Sequence, residues 1–181
     1  YSEGAKEVQP DLCCPVDYDA SLLKILPQEI IDRDYGCGDP SRYVQEGDVV
    51  LDLGSGGGKI CYMAAQLVGP KGKVIGVDMN DDMLGLARQY QAEMAEKLGS
   101  DRVEFKKGQI QDLALNLEHT EALIASKPVT DTAALLDLQA QQESQRRDDP
   151  LIADESVDLV VSNCVLNLVG ERYRRNMISE I

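Results

Sequence analysis

The sequence is poor in aromatic side chains and in positive charge. It has no Trp and one Phe, and aromatic residues make up 4% of the chain. This scarcity argues against a single-strand nucleic-acid binder, because such proteins stack bases on aromatic rings. Lys and Arg number 18 against 32 Asp and Glu, which gives a net charge of -14 and disfavours a grip on a phosphate backbone. We therefore expect no nucleic-acid partner.

The sequence also lacks long apolar runs and a paired set of cysteines. No stretch approaches the roughly 18 consecutive apolar residues of a membrane span, so we expect no membrane association. The five cysteines are an odd number and are widely scattered: Cys13, Cys14, Cys37, Cys61 and Cys164. This usage is atypical of a secreted disulfide framework and favours a reducing, cytoplasmic location.

The length and composition are those of one globular domain. The chain has 181 residues, of which 43% are hydrophobic and 28% charged. It opens on Tyr1, and Ile181 falls inside a predicted helix. We therefore expect a piece of a larger protein.

Apolar runs and helical periodicity alternate along the chain. Four segments predict strands: Val49–Leu53, Lys73–Val77, Val103–Lys106 and Val157–Ser162. A helix is predicted over Lys59–Val68, and one long helix is capped by Asn80 and ended by Gly99. This order predicts an α/β fold, with a mostly parallel sheet and helices on both faces. The Val and Leu content of the first and fourth strands predicts burial on both faces.

Two regions stand outside this alternation. Residues 1–47 form a predicted N-terminal arm and cap, in which Pro27 divides a helix and falls in the first turn of the second part. Residues 113–152 form an insertion with predicted helices over Leu117–Ser126 and Thr132–Ser144. Its polar composition favours a solvated surface, and a lid or a partner-docking role is the alternative. The only histidine, His119, lies in this insertion and is expected at the surface.

A glycine-rich turn follows the first predicted strand, in the pattern Asp52-x-Gly54-x-Gly56-x-Gly58. The dinucleotide pattern G-x-G-x-x-G fails, because Lys59 or Cys61 takes its last position, and no G-K-[ST] follows to make a phosphate loop. The pattern is typical of the S-adenosylmethionine turn of Rossmann-like methyltransferases. Its candidate cofactor residues are Asp52, Gly54, Ser55 and Gly56. A tight turn with no ligand is the alternative.

Asp78 closes the second predicted strand, where a carboxylate can accept hydrogen bonds from both ribose hydroxyls of an adenosine. It could instead cap the next helix, although Asn80 is available for that purpose. Gln109 and Ile110 follow the third strand and are candidates for a wall beside the adenine. These residues favour S-adenosylmethionine as the cofactor.

Cys164 follows the fourth predicted strand, in the segment Ser162-Asn163-Cys164-Val165. A thiol at this edge is either a buried filler or a ligand for a soft acceptor. The spacing leaves both possibilities open.

The sequence resembles the arsenite methyltransferases, a family that methylates trivalent arsenic with S-adenosylmethionine. The sequence matches this family at the glycine turn, at Asp78-Met79 and at Cys61-Tyr62. The glycine turn and Asp78 are also found in many other methyltransferases. The more specific matches are Tyr35-Gly36-Cys37-Gly38 and the segment from Ser162 to Val169. The resemblance runs from about Cys13 to the end, apart from the insertion.

The resemblance implies a role for each matching residue. Cys37 and Cys164 would bind arsenic as thiolates, and Cys13 or Cys14 would take part in a thiol–disulfide relay during turnover. Gly54, Ser55, Gly56, Asp78 and Met79 would contact the cofactor, with Asn163 beside its methionine end. A third arsenic thiolate and the last strands of the sheet are expected beyond residue 181, so the domain over residues 48–181 is expected to be incomplete.

The implied reaction is methyl transfer to arsenite or its thiol conjugates, with reducing thiols as further partners. The sequence departs from the family at Lys59-Ile60, where an Arg-Asp pair is usual. Two alternatives stay open. One is a methyltransferase for a small organic molecule, and the other is a non-catalytic module that binds the cofactor or a metalloid.

Overall fold

The computed structural model describes residues 17–181, so Cys13 and Cys14 lie outside the described residues. The described part begins with two short helices, α1 (Ala20–Leu23) and α2 (Gln28–Asp32). Pro27 divides them as predicted, but it is the N-cap of α2 and not a first-turn residue. Its fixed φ suits either place, and its lack of an N–H costs nothing at a helix start.

A parallel sheet forms the centre of the described part. Its four strands are β1 (Val49–Leu53), β2 (Lys73–Asp78), β3 (Val103–Lys107) and β4 (Leu159–Ser162), in the order β3-β2-β1-β4. The helices after α2 are α3 (Lys59–Leu67), α4 (Asp81–Gln89), α5 (Gln91–Leu98), α6 (Leu117–Ser126), α7 (Thr132–Asp148) and α8 (Glu171–Ser179). The predicted α/β fold is confirmed.

Each face of the sheet carries its own apolar cluster. Alternate residues of β1 and β2, such as Val50 and Val74, pack against α3, whose residues Cys61 to Ala65 are buried. The opposite cluster contains Leu51, Leu53, Ile75, Val77 and Leu113. Two-sided burial is therefore correct for β1. In β4, Leu159 and Val161 pack on one cluster and Val160 packs on the other, but only Val161 is buried, because within residues 17–181 β4 pairs with a strand on one side alone.

The single long helix predicted after Asn80 is two helices. The Asn80 side chain caps α4 as expected, by accepting hydrogen bonds from the N–H groups of Asp82 and Met83. The helix breaks at Tyr90, whose φ of -99° and ψ of 0° leave the helical range. The Tyr90 hydroxyl donates to Glu29 of α2. This contact between elements distant in sequence is invisible to helical periodicity.

Residues 113–152, predicted as an insertion and called the insertion below, contain the helices α6 and α7. The bounds of α6 are those predicted, and α7 continues past Ser144 to Asp148. Helix α8 ends at Ser179, before the position where the sequence pattern predicted it still to be running. Among residues 17–181, none of the helices has the length and apolarity that a membrane span requires.

The strand order fixes where a ligand can bind. Strand β1 has β2 on one side and β4 on the other, so the connections diverge at its carboxyl end. Open α/β sheets bind ligands at this kind of switch point. The glycine turn after β1, Asp78 at the last position of β2 and Asn163 after β4 all lie there.

We expect Gly76→Ala, in the middle of β2, to lower the free energy of unfolding by about 1–3 kcal/mol. A Cβ on Gly76 would lie 2.8 Å from the Phe105 ring and 2.9 Å from the Cys61 sulfur. Gly85→Ala is the matched control, because nothing lies within 4 Å of its added Cβ on helix α4. It should raise stability by up to about 1 kcal/mol. Urea denaturation measures both, and equal stabilities would contradict the packing described for β2.

Candidate cofactor and thiol site

The turn after β1 depends on a glycine at position 54. Gly54 has a φ of 77°, and its N–H donates to the carbonyl of Val77 at 2.8 Å. A Cβ on Gly54 would lie 2.6 Å from two methyl carbons of Val165, which follows β4. Both the left-handed backbone and the close approach require glycine here. The turn therefore brings the ends of β1, β2 and β4 together.

The Asp78 carboxylate supports this turn from the end of β2. One oxygen accepts from the N–H of Gly56 at 2.9 Å, and the other accepts from the N–H of Asn80 at 2.9 Å. Each carboxylate oxygen has a second lone pair available for a ligand. Asp78 lines the cleft described next, so its position combines a structural role with access to a ligand.

Two spaces adjoin the turn, an outer cleft and an inner cavity, and Gly54 and Val165 line both. The outer cleft has a volume of about 850 Å³. Its lining includes four residues singled out in the sequence: Gly54, Asp78, Met79 and Ile110. The narrower inner cavity includes five: Asp52, Gly54, Ser55, Gly56 and Asn163. Gln109 lines neither space. Its side-chain oxygen accepts from Gln111, which lines the outer cleft instead.

Asp52 lies beneath the turn with 2% of its surface exposed. The Cys61 thiol donates to its carboxylate at 3.3 Å. Burial raises the pKa of Asp52 to about 7, against the opposing effect of the Cys61 hydrogen bond. Burial and the neighbouring carboxylate also raise the pKa of the Cys61 thiol. Cys61 is therefore poorly suited to react as a thiolate.

Ser55 carries an unsatisfied polar atom at the inner cavity. The residue is 8% exposed, and its hydroxyl oxygen is buried without a hydrogen-bond partner among residues 17–181. A buried hydroxyl without a partner is costly, so most are satisfied in folded proteins. The Ser55 hydroxyl is thus placed to bond a polar group entering the cavity.

Cys37 and Cys164 meet at the carboxyl edge of the sheet, although 127 positions separate them in sequence. Their sulfurs are joined as a disulfide, and their Cα atoms are 6.0 Å apart. Cys164 has a φ of 57°, a left-handed conformation that is uncommon for a residue other than glycine. Such strain often marks a functional position. Cys37 is exposed and Cys164 is half-buried, so the pair is accessible.

Asn163 holds the Cys37 loop against the end of β4. Its side-chain oxygen accepts from the Cys37 N–H at 3.0 Å, and its side-chain nitrogen donates to the Gly38 carbonyl at 2.8 Å. The loop approaches so closely that a Cβ on Gly36 would lie 2.4 Å from the same nitrogen. One amide side chain therefore fixes the position of the Cys37 backbone relative to Cys164.

A second contact fastens the same loop to the start of α3. The Lys59 ammonium is 2.9 Å from the Asp34 carboxylate and 3.5 Å from the centre of the Tyr18 ring. Lys59 is 5% exposed and is the first residue of α3, where the helix dipole disfavours a cation. Asp34 offsets this cost. Burial and the Asp34 carboxylate raise the pKa of the Tyr18 hydroxyl, which donates to Asp34 at 3.2 Å.

Several residues of the site were not found from the sequence. Asp34 lines the inner cavity, but an acid in a loop carries no motif, and Val165 belongs to the segment from Ser162 to Val169 without being assigned a role there. The sequence places Lys59 at the start of a helix and marks it as a departure from the family pattern, but gives it no role in the site. A lysine at the first turn of a helix is a usable signal, because it needs a nearby carboxylate.

Comparison with known proteins identifies relatives over most of the chain. Residues 44–146 match a family model described as a methyltransferase domain. An arsenite methyltransferase of Aquipseudomonas alcaligenes is 35% identical, over 94% of this chain and 40% of that protein. A human arsenite methyltransferase is 33% identical, over 84% of this chain and 32% of that protein.

A solved structure is similar over the same region. An arsenic(III) S-adenosylmethionine methyltransferase from Chlamydomonas reinhardtii superimposes with a TM-score of 0.64 at 32% identity, covering 92% of this chain and 44% of that one. The resemblance stated from the sequence is thereby confirmed. The chain spans less than half the length of these relatives.

We expect Asn163→Ala to free the Cys37 loop, because it removes both of the hydrogen bonds described above. Amide hydrogen exchange of Cys37 in the reduced protein should speed up about fivefold or more, as expected for losing a net bond of ~1 kcal/mol. Asn167→Ala is the control, since Asn167 is exposed in the next turn. Equal rates of amide exchange at Cys37 in the two variants would show that the Asn163 hydrogen bonds do not hold the Cys37 loop.

Proposed function

The chain belongs to the methyltransferase domain family, and on that premise we propose that it transfers the methyl group of S-adenosylmethionine to trivalent arsenic held by thiolates. The observation that carries this proposal is the pairing of Cys37 with Cys164 beside the glycine turn. The similarity to arsenite methyltransferases supports the same substrate.

The residues at the turn fit S-adenosylmethionine. The outer cleft of about 850 Å³ is within the usual size range of small-molecule sites and presents the Asp78 carboxylate to a ribose. Met79 and Ile110 line the same cleft and would flank the adenine. The inner cavity is small, about 40 Å³, so the methionine end would lie at its opening, where the Ser55 hydroxyl and Asn163 offer hydrogen bonds.

The Asp52 carboxylate would attract the positively charged sulfonium of this cofactor. Its carboxylate lines the inner cavity, and burial holds its pKa at about 7. A cation nearby would stabilise the ionised form, which burial otherwise disfavours. We therefore assign Asp52 an electrostatic role toward the cofactor, in agreement with its place in the glycine motif.

The sulfur pair fits a soft substrate. Trivalent arsenic prefers thiolate sulfur, as soft metal centres do. Cys37 and Cys164 are close enough to hold one arsenic atom between their sulfurs. The disulfide must first be reduced, because only a thiolate binds the atom. A reductant is therefore needed before arsenic binds. Cys61 is excluded from this set by its burial and by its raised pKa.

When bound, S-adenosylmethionine supplies an electrophilic methyl group, so that the arsenic lone pair forms the As–C bond while the C–S bond breaks and leaves its electron pair on sulfur. No proton has to be removed from the substrate. The contribution of the protein is therefore positioning, which is worth up to about 7–11 kcal/mol in well-oriented systems. Asn163 and the Lys59–Asp34 pair supply it, since they hold the Cys37 loop at the glycine turn.

We expect Cys37→Ser and Cys164→Ser each to weaken As(III) binding by about 100-fold or more, because one thiolate would replace a chelating pair. Cys61→Ala is the control and should bind As(III) as the unmutated protein does. Titration of the reduced protein with As(III) provides the measurement. Unchanged binding in both serine variants would favour a small organic substrate instead. Tight cofactor binding without methyl transfer in the intact protein would favour a non-catalytic module.

We expect Asp78→Asn to weaken S-adenosylmethionine binding by about 10- to 150-fold, since a charge-assisted hydrogen bond contributes ~1.5–3 kcal/mol. Asn keeps the shape of the side chain and one acceptor, so the turn should persist. Asp82→Asn makes the same charge change in the same cleft and should alter affinity less than about twofold. Isothermal titration measures all three proteins, and equal affinities would exclude the ribose contact.

A further inference from the structure

The insertion returns to the sheet directly behind the wall of the outer cleft. Leu151, just after α7, donates its N–H to the Ala114 carbonyl at 2.9 Å, and Ile152 donates to the Leu113 carbonyl at 3.0 Å. The Leu151 side chain packs so tightly on Gly108 that a Cβ there would lie 2.4 Å from it. The segment that carries Ile110 and Gln111 is thus backed by the end of the insertion.

Gln145 of α7 is a buried polar anchor in this arrangement. It is 8% exposed, although it lies on a helix whose other residues are exposed or half-buried. Its side-chain oxygen accepts from the Asn116 N–H at 2.9 Å, and its nitrogen donates to the Ala114 carbonyl at 3.0 Å. The same nitrogen donates to the Asp149 carbonyl at 2.6 Å. One amide therefore joins α7 to the segment that leaves the cleft.

Arg146, the next residue, forms an ion pair with Asp112, which adjoins the cleft-lining residues Ile110 and Gln111. Its guanidinium reaches both oxygens of Asp112, with one nitrogen at 2.7 Å. The Asp112 N–H donates to the Gln109 carbonyl at 3.0 Å, which closes a tight turn around Ile110 and Gln111. These two residues line the outer cleft. A two-pronged Arg–carboxylate pair fixes direction as well as distance.

The opposite end of the insertion is also fixed. Buried Lys107 at the end of β3 pairs with Asp81 at the start of α4 and with Glu121 on α6. Arg88 of α4 pairs with Glu118, also on α6, at 2.8 Å. Asp81 itself lines the outer cleft. The insertion is therefore attached on both sides of this cleft.

We propose that the insertion braces the cofactor site, with Arg146 and Gln145 as positioning residues that act through Asp112 on the turn at Ile110 and Gln111. This inference rests on the proposed binding of S-adenosylmethionine in the outer cleft. Neither residue lines the outer cleft. They set the shape of the wall against which the adenosine end packs, and the thiol pair on the far side of Gly54 is independent of them.

Arg146→Gln tests the brace, and Arg147→Gln is its matched control. Arg147 is 70% exposed in its side chain and pairs only with its neighbour Asp148 among the described residues. In the intact, reduced protein we expect Arg146→Gln to weaken S-adenosylmethionine binding about tenfold, and Arg147→Gln to change it less than about twofold. As(III) binding should stay unchanged in both variants, whereas a general loss of folding would weaken both ligands.

The reversed pair Arg146→Asp/Asp112→Arg should recover most of the lost affinity, because the contact is restored with its charges exchanged. Affinity in Arg146→Gln equal to that of the unmutated protein would overturn the brace and leave the proposed function intact. So would a parallel loss of As(III) binding, which would indicate a general structural role. Failure of the unmutated protein to bind S-adenosylmethionine would instead refute the proposed function.

Discussion

The close approach of Gly54 to Val165 is the constraint on which the site depends. It brings the turn after β1 against the segment after β4, at the point where the strand connections diverge. Asp78 then holds the turn from β2 through the Gly56 N–H. The outer cleft and the inner cavity both open from this junction. Any side chain larger than hydrogen at position 54 would separate the strand ends and displace both.

The two halves of the site are held by different parts of the chain. The half that contains Cys37 and Cys164 depends on Asn163 and on the Lys59–Asp34 pair. These contacts hold the Cys37 loop against β4 and α3. The half that contains the outer cleft is proposed to depend on the insertion, through the contact of Arg146 with Asp112. The proposed transfer would require both halves to be rigid, because small displacements of two reactants are costly in transfer reactions. The separate fastenings explain why a region with few buried residues contributes to the site.

Errors of the sequence-based predictions have identifiable physical causes. The helix after Asn80 breaks at Tyr90, where the hydroxyl reaches Glu29 of a distant helix. Strand β4 packs on both apolar clusters but buries only Val161, because within the described residues it pairs with β1 alone. The polar composition of α6 and α7 matches their mostly exposed surfaces but does not reveal that Gln145 is buried among them. Each case involves a partner far away in sequence, which composition and periodicity do not encode.

The sequence by itself determined the alternation of strands and helices, the glycine turn and the acid that ends β2. These features are local, because periodicity and backbone freedom act over a few neighbouring residues. Only the tertiary structure decided that Cys37 meets Cys164 across 127 positions, that Asn163 holds the loop between them, and that Arg146 reaches the wall of the cleft. Such contacts depend on strand order and on close packing, which are properties of the whole fold.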